Sequence, residues 1–322
     1  MSTGAFGAGF LVNPDLFPAR RGGETWGGRS VRLALPGGPY RFAGLNDAQE
    51  EAVRQRFGDH CAAGDTAGEA APIGVDCLLF RAAETDFRSF DLRGWEYGLD
   101  LDASPETVRL AGLRLVGRLD WRPGLTGALW TPDAGGQAFA GIFENFLRVL
   151  TAYRLLERGD AVLHGAAVAG PRGVHLFLGR SGAGKSTISR LAEERGATVL
   201  SDDLNALCLE DGSPVVRKLP FTGDYGDART PLAAAPLAGL YRLEKSPDDA
   251  LRPLSRAEAV ACLLACSPFV NADPHRRDGL LGNLLRLVPQ GEGAPAWALR
   301  FSLGGGFWPI LDRCPPSPLF PL

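Results

Sequence analysis

The sequence predicts a two-part chain, a β-rich (α+β) portion over residues 1–135 and an α/β portion over 136–322. Three observations carry this. Runs of β-favouring residues bounded by Gly, Pro and Asp crowd the first part. An apolar stretch with helical spacing opens the second. Beyond it, an apolar strand runs into a glycine-rich turn and out into a helix, the order from which α/β units are built.

In the first part the β-favouring runs are SVRLALPGG (30–38), YRFAGL (40–45), IGVDCLLFRAA (73–83), WEYGLDLD (95–102) and TVRLAGLRLVGRLDW (107–121). One helix interrupts them at 46–57, where Asn46 or Asp47 supplies the cap. After the loop DAGGQAF (133–139), Phe143, Phe146, Leu147, Leu150, Tyr153 and Leu156 recur at helical spacing and predict a helix connecting the two parts. AVLHGAAVAG and VHLFLG follow as two strands joined by a PRG turn. Farther on, strands are expected at 235–244 and 297–303. Ser255 and Glu258 stand at capping-box spacing before a helix, and the leucines of DGLLGNLLRLV (278–288) share a helical face.

An apolar fraction of 45% and a charged fraction of 22% describe a folded chain rather than a disordered one. The net charge of −3 gives no basic footprint for nucleic acid. The start, MSTGAFGAGFLVNPDLF, has neither a basic region nor the long apolar run of a secretory signal, and no window reaches the ~20 apolar residues of a membrane helix. No membrane partner and a reducing cytoplasm are therefore expected. Cys262 and Cys266, one helical turn apart, read as core residues rather than metal ligands.

Gly179, Arg180, Ser181, Gly182, Ala183, Gly184, Lys185 and Ser186 match the eight-residue Walker A pattern without a gap, between a strand and a helix as its chemistry requires. Such a turn directs successive N–H groups inward, and the helix N-terminus adds partial positive charge for a phosphate. Lys185, expected as an exposed loop side chain, would neutralise the β- and γ-phosphate oxygens of ATP. Ser186 would ligate magnesium, and Thr187 would assist near the α-phosphate. The competing reading is a chance glycine turn before a helix, which the intact pattern and its context both disfavour.

Only one short helix separates this loop from ATVLSDDL, so Asp202 and Asp203 are expected where a strand emerges beside the loop. Adjacent strand residues face opposite ways, which predicts different work for the two carboxylates: one holding magnesium, the other accepting a proton from an attacking hydroxyl. A solvated SDD turn is the bland alternative. His164, in LHGAAVA, is a third candidate, although an isolated histidine among apolar residues is more often a hydrogen-bonded core residue.

Residues 161–207, with their His-Gly strand, short turn, Walker A loop, single helix and Asp-Asp strand, resemble the catalytic core of the HPr kinase/phosphorylase family, whose fold is related to that of phosphoenolpyruvate carboxykinase. The resemblance implies an α/β P-loop kinase domain of HPr kinase type over 136–322 beside the β-rich domain 1–135. It makes Asp202 the base, His164 its support and Asp203 the metal-associated acid, with ATP and magnesium as cofactors. The glycine-rich signature that follows the core in that family is replaced here by VVRKLPFTGDYGDART, where Arg217, Lys218 and Arg229 are candidates for transition-state charge. The chain is closer to the HPr-kinase-like peptide serine kinases of ribosomal-peptide pathways, including those of lasso peptides. This implies a peptide or protein substrate carrying a serine, and leaves open a homo-oligomer of the kind that HPr kinases form. A small-molecule kinase, a nucleotide-gated scaffold and, more weakly, a carboxykinase are the alternatives.

Overall fold

A computed structural model of the chain describes Phe10 and residues 23–62, 74–88, 98–221, 223, 230, 232–288, 296–302 and 304–313. The first 9 residues, residues 95–97 of an expected strand, Arg229 and Cys314 lie outside the described residues. Its content is mixed α/β with two sheets. The chain divides into two compact units, Met1–Arg154 and Leu155–Leu322, so the division falls in the last turn of the connecting helix rather than before it.

The first unit holds β1 (Arg29–Leu33), β2 (Tyr40–Leu45), α1 (Asp47–Phe57), β3 (Val75–Arg81), β4 (Asp100–Ala103), β5 (Thr107–Gly112), β6 (Leu115–Asp120), β7 (Thr126–Thr131) and most of α2 (Gly136–Glu157). Its seven strands lie in the order β1-β2-β3-β7-β6-β5-β4, with the central β2-β3 and β3-β7 pairs parallel and the rest antiparallel. Asn46 caps α1. Its side chain accepts from the Gln49 N–H at 2.8 Å while the Gln49 side chain accepts from the Asn46 N–H, which closes a capping box. The single run expected over 107–121 is a hairpin, β5 and β6, turned at Arg114, whose φ is 57°.

Helix α2 places its aromatic stripe on this unit. The Phe143 ring meets that of Phe42 at 4.6 Å and that of Phe57 at 5.8 Å, and Tyr153 meets Trp121 at 5.4 Å. Phe139, Phe143 and Phe146 are wholly buried, each stabilising the unit by roughly 1.5–3 kcal/mol. A chain beginning at Gly135 keeps α2 and loses the residues that cover it. It is expected to aggregate on purification, as size-exclusion chromatography would register. A soluble monomer melting as the full chain does would contradict this packing.

The second unit comprises β8 (Ala161–Gly170), β9 (Gly173–Leu178), α3 (Lys185–Glu194), β10 (Thr198–Ser201), β11 (Leu204–Glu210), β12 (Ser213–Lys218), β13 (Ala234–Lys245), β14 (Ala250–Pro253), α4 (Arg256–Ala265), α5 (Arg277–Leu287), β15 (Ala296–Phe301) and α6 (Trp308–Arg313). The order is β10-β8-β11-β12-β13-β15-β14, with β9 pairing both β8 and β13. Strands β9, β13 and β15 run parallel, and their carboxyl ends face the same edge. Apolar side chains of these strands and of the helices that follow, among them Phe177, Ile188, Ala192, Tyr241, Leu299 and Phe307, form the core beneath α3. Ser255 and Glu258 form the expected capping box of α4. No helix among the described residues is long and apolar enough to cross a membrane.

Residues 161–164 of β8 pair with β11 and residues 167–169 with β10, while residues 165–170 also pair with β9. His164 therefore lies next to the residue at which β8 begins to pair with β9, the strand that leads into the glycine loop. Strands β10 and β11 both lie antiparallel to β8, and Asp202 and Asp203 occupy the bend between them.

Candidate functional site

The loop 179–186 joins β9 to α3, and its backbone demands glycine. Gly184 caps the helix at φ 107°, a left-handed value, and a Cβ there would come within 2.5 Å of the Phe301 ring. Lys185 opens α3. It is not the exposed loop side chain that the sequence suggests: it is only 7% exposed, because its ammonium turns back over the loop and donates to the Gly179 and Arg180 carbonyls at 3.1 and 3.2 Å. A cation and the first turn of a helix, whose early N–H groups lack intrahelical partners, thus converge on one spot.

One residue later, the Ser186 hydroxyl donates to Asp202 Oδ2 at 3.0 Å. Asp202 is buried at 4% exposure. Asp203 makes different contacts: its N–H donates to Ser201 Oγ at 3.2 Å, and its Oδ1 lies 3.6 Å from His164 Nε2. The two carboxylates are therefore unlike in surroundings, one against the helix N-terminus and the other beside a half-exposed imidazole. The Gly165 N–H donates to the Asp203 carbonyl at 2.9 Å, and Asn205 Nδ2 donates to the Gly165 carbonyl at 2.7 Å. These bonds hold the His164 strand and the Asp203 bend in one frame.

Ser186 and the two aspartates supply hard oxygen donors. Among the described residues no group of three His, Cys, Asp or Glu side chains is disposed to hold a metal alone. A hydroxyl and one carboxylate in contact nevertheless fit magnesium, which retains waters and takes phosphate oxygens rather than requiring an all-protein cage.

Two participants escape a reading of sequence alone. Gly223 passes so close to the acidic bend that a Cβ on it would meet Asp202 Oδ1 at 2.6 Å and Asp203 Cβ at 2.7 Å. Gly223→Ala is expected to displace the pair and to cost roughly 1–3 kcal/mol in a urea titration. An unchanged midpoint would show that the segment yields without strain.

The second is Cys266, at the C-terminal end of α4. Its carbonyl accepts from the His164 N–H at 2.7 Å. A hydrogen bond from the Cys262 thiol, together with the Gly179 N–H and the nearby Lys185 charge, lowers the Cys266 thiol to about 7 against the opposing effect of burial, while Cys262 is pushed up. Both cysteines are free thiols, and one of them borders the loop.

Of the other candidates, Arg217 is engaged with Glu210, whose carboxylate accepts from its Nε at 2.5 Å on the β11-β12 hairpin, and no contact joins it to the loop among the described residues. Lys218 ends β12, next to Leu219.

No protein-family model and no curated protein matches the chain.

Proposed function

We propose that the second unit is a P-loop kinase that transfers the γ-phosphoryl group of ATP to a hydroxyl, a serine of a peptide or protein. The observation that carries this is the Ser186–Asp202 contact of 3.0 Å at the mouth of a loop that also holds Lys185. A phosphate-binding turn is thereby joined to a carboxylate outside its own motif, as phosphoryl transfer requires and a chance glycine turn does not. The serine acceptor rests on the resemblance of residues 161–207 to HPr-kinase-like peptide kinases.

In this reading the loop N–H groups and the N-terminus of α3 hold the β-phosphate, and Lys185 exchanges its loop carbonyls for phosphate oxygens. Ser186 and Asp202 would hold magnesium, which shields the charge of the transferring phosphate. The contacts favour an allocation opposite to the one the resemblance implies: Asp202, buried and bonded to Ser186, serves the metal, and Asp203, beside His164, faces the acceptor. The serine oxygen attacks the γ-phosphorus, its proton passes to the Asp203 carboxylate, and the bond to the β,γ-bridging oxygen breaks to release ADP. His164 lies within reach of Asp203 and would orient it. Catalysis comes from alignment and charge neutralisation.

The Cys266 thiol gives this reading a pH signature. At low pH it is neutral; as pH rises through its lowered range, a thiolate forms near Lys185 and competes with phosphate for its charge. ATP affinity is therefore expected to fall with rising pH, relative to Cys266→Ser, by about three- to tenfold. Parallel pH profiles by calorimetry for the two proteins would remove Cys266 from the site.

The reading is tested by incubating the protein with magnesium, γ-labelled ATP and serine-containing peptides, with free serine and sugars as competing acceptors. Label on the small molecules alone would replace the peptide acceptor with a metabolite.

A further inference from the structure

Next to the glycine loop lies a cavity of about 430 Å³, bounded by Gly184 and Thr187 of the loop and α3, by Lys245, Ser246 and Pro247 at the end of β13, and by Phe301 and Ser302 at the end of β15. We propose that this cavity is the nucleoside subsite, holding the base and ribose of the donor nucleotide. The proposal rests on the reading of loop 179–186 as the triphosphate site, and it fixes which way the nucleotide lies.

Topology is the first argument. The cavity is bounded by the carboxyl ends of β13 and β15 and by the loop that leaves the carboxyl end of β9, three strands that run parallel. Open α/β sheets take their ligands in the crevice outside the carboxyl ends of such strands. The register, with Lys245 opposite Phe301, brings the two wall segments to one level.

Connectivity is the second. A nucleoside is covalently joined to its α-phosphate, so its pocket must share residues with the phosphate loop, and Gly184 and Thr187 are shared. On the other flank Ser186 contacts Asp202, and Asp203 meets His164. The triphosphate would then run from the cavity across Lys185 to the carboxylates, its γ-end at the acidic bend. A second cavity of about 390 Å³ is lined by Arg195, Gly196, Ala197 and Thr198, with Trp308. Those residues follow the far end of α3, about 15 Å along a ten-residue helix, too far for a nucleoside attached at its N-terminus.

Chemistry is the third. Pro247 and Phe301 offer apolar surface to a base, while the Ser246 hydroxyl, whose oxygen accepts from the Asp248 N–H and Arg300, can donate to a ribose and the Ser302 oxygen can accept from it. Asp249 orients the second of these: the Ser302 N–H donates to its Oδ1 at 2.6 Å and the Ser302 hydroxyl to its Oδ2 at 3.2 Å.

The test compares two ligands, magnesium-ATP and magnesium with inorganic tripolyphosphate, by calorimetry on the full chain. Pro247→Trp fills the cavity without changing charge. It is expected to weaken ATP by about tenfold or more while tripolyphosphate binds as to the wild type. Ser246→Trp should do the same, and covers the case in which the first variant fails to fold. An azido-adenine ATP analogue should label peptides containing residues 245–247 or 301–302. Label near 168–171 or 195–198 would overturn the proposal, as would folded Trp variants that bind ATP like the wild type or lose both ligands equally. Failure of the wild type to bind tripolyphosphate would instead sink the phosphate-loop reading beneath it.

Discussion

Lys185→Ala is expected to lower affinity for magnesium-ATP by about 10²-fold or more and to abolish transfer. The ammonium can neutralise the phosphate oxygens, and its two carbonyl contacts hold it at the loop mouth. Because Lys185 is buried, the change has a structural cost as well. Two loop carbonyls lose their donor, and stability should fall by about 1–3 kcal/mol while the unit stays folded. Calorimetry and a urea titration separate the two effects. ATP affinity and turnover equal to the wild type would remove the phosphate-loop reading altogether.

Asp203→Asn and Asp202→Asn are expected to fail in different ways. An amide at Asp203 keeps the shape of the bend but has little capacity to accept the serine proton. Transfer should slow by roughly 10²–10⁴-fold with ATP affinity unchanged. At Asp202 the amide weakens the partner of the Ser186 hydroxyl, so the magnesium concentration for half-maximal binding should rise. Opposite behaviour, with Asp202→Asn slow at normal magnesium affinity, would restore the allocation implied by the resemblance. Equal magnesium titrations and equal rates would deny any division of labour.

The parts of the site that a sequence discloses are those whose chemistry is local. A glycine turn between an apolar strand and a helix states its own backbone geometry, and Ser255 with Glu258 states a helix start. The β11-β12 hairpin also carries a local signal, the Asp211-Gly212 turn with φ values of 49° and 80°, between runs of β-favouring residues. Gly223 and Cys266 are different. Each matters through a segment far away in the chain that comes to rest on the aspartates or the loop, and no spacing encodes that approach. The same holds for the aromatic stripe of α2. Its helical period is plain, yet which sheet covers it depends on Phe42 and Phe57, about 90 residues earlier.

The central claim is that Lys185, Ser186 and the two aspartates move a phosphoryl group from ATP to a serine hydroxyl. The most direct measurement follows γ-labelled ATP with a set of serine peptides and their alanine counterparts, with ADP and labelled peptide quantified together. Label on serine peptides alone, one ADP per phosphate transferred and a labelling rate about 10²-fold or more lower with Asp203→Asn is the outcome this account requires. ATP that binds but passes label to no peptide, free serine or sugar would contradict it and leave the loop as a nucleotide-binding element without transfer.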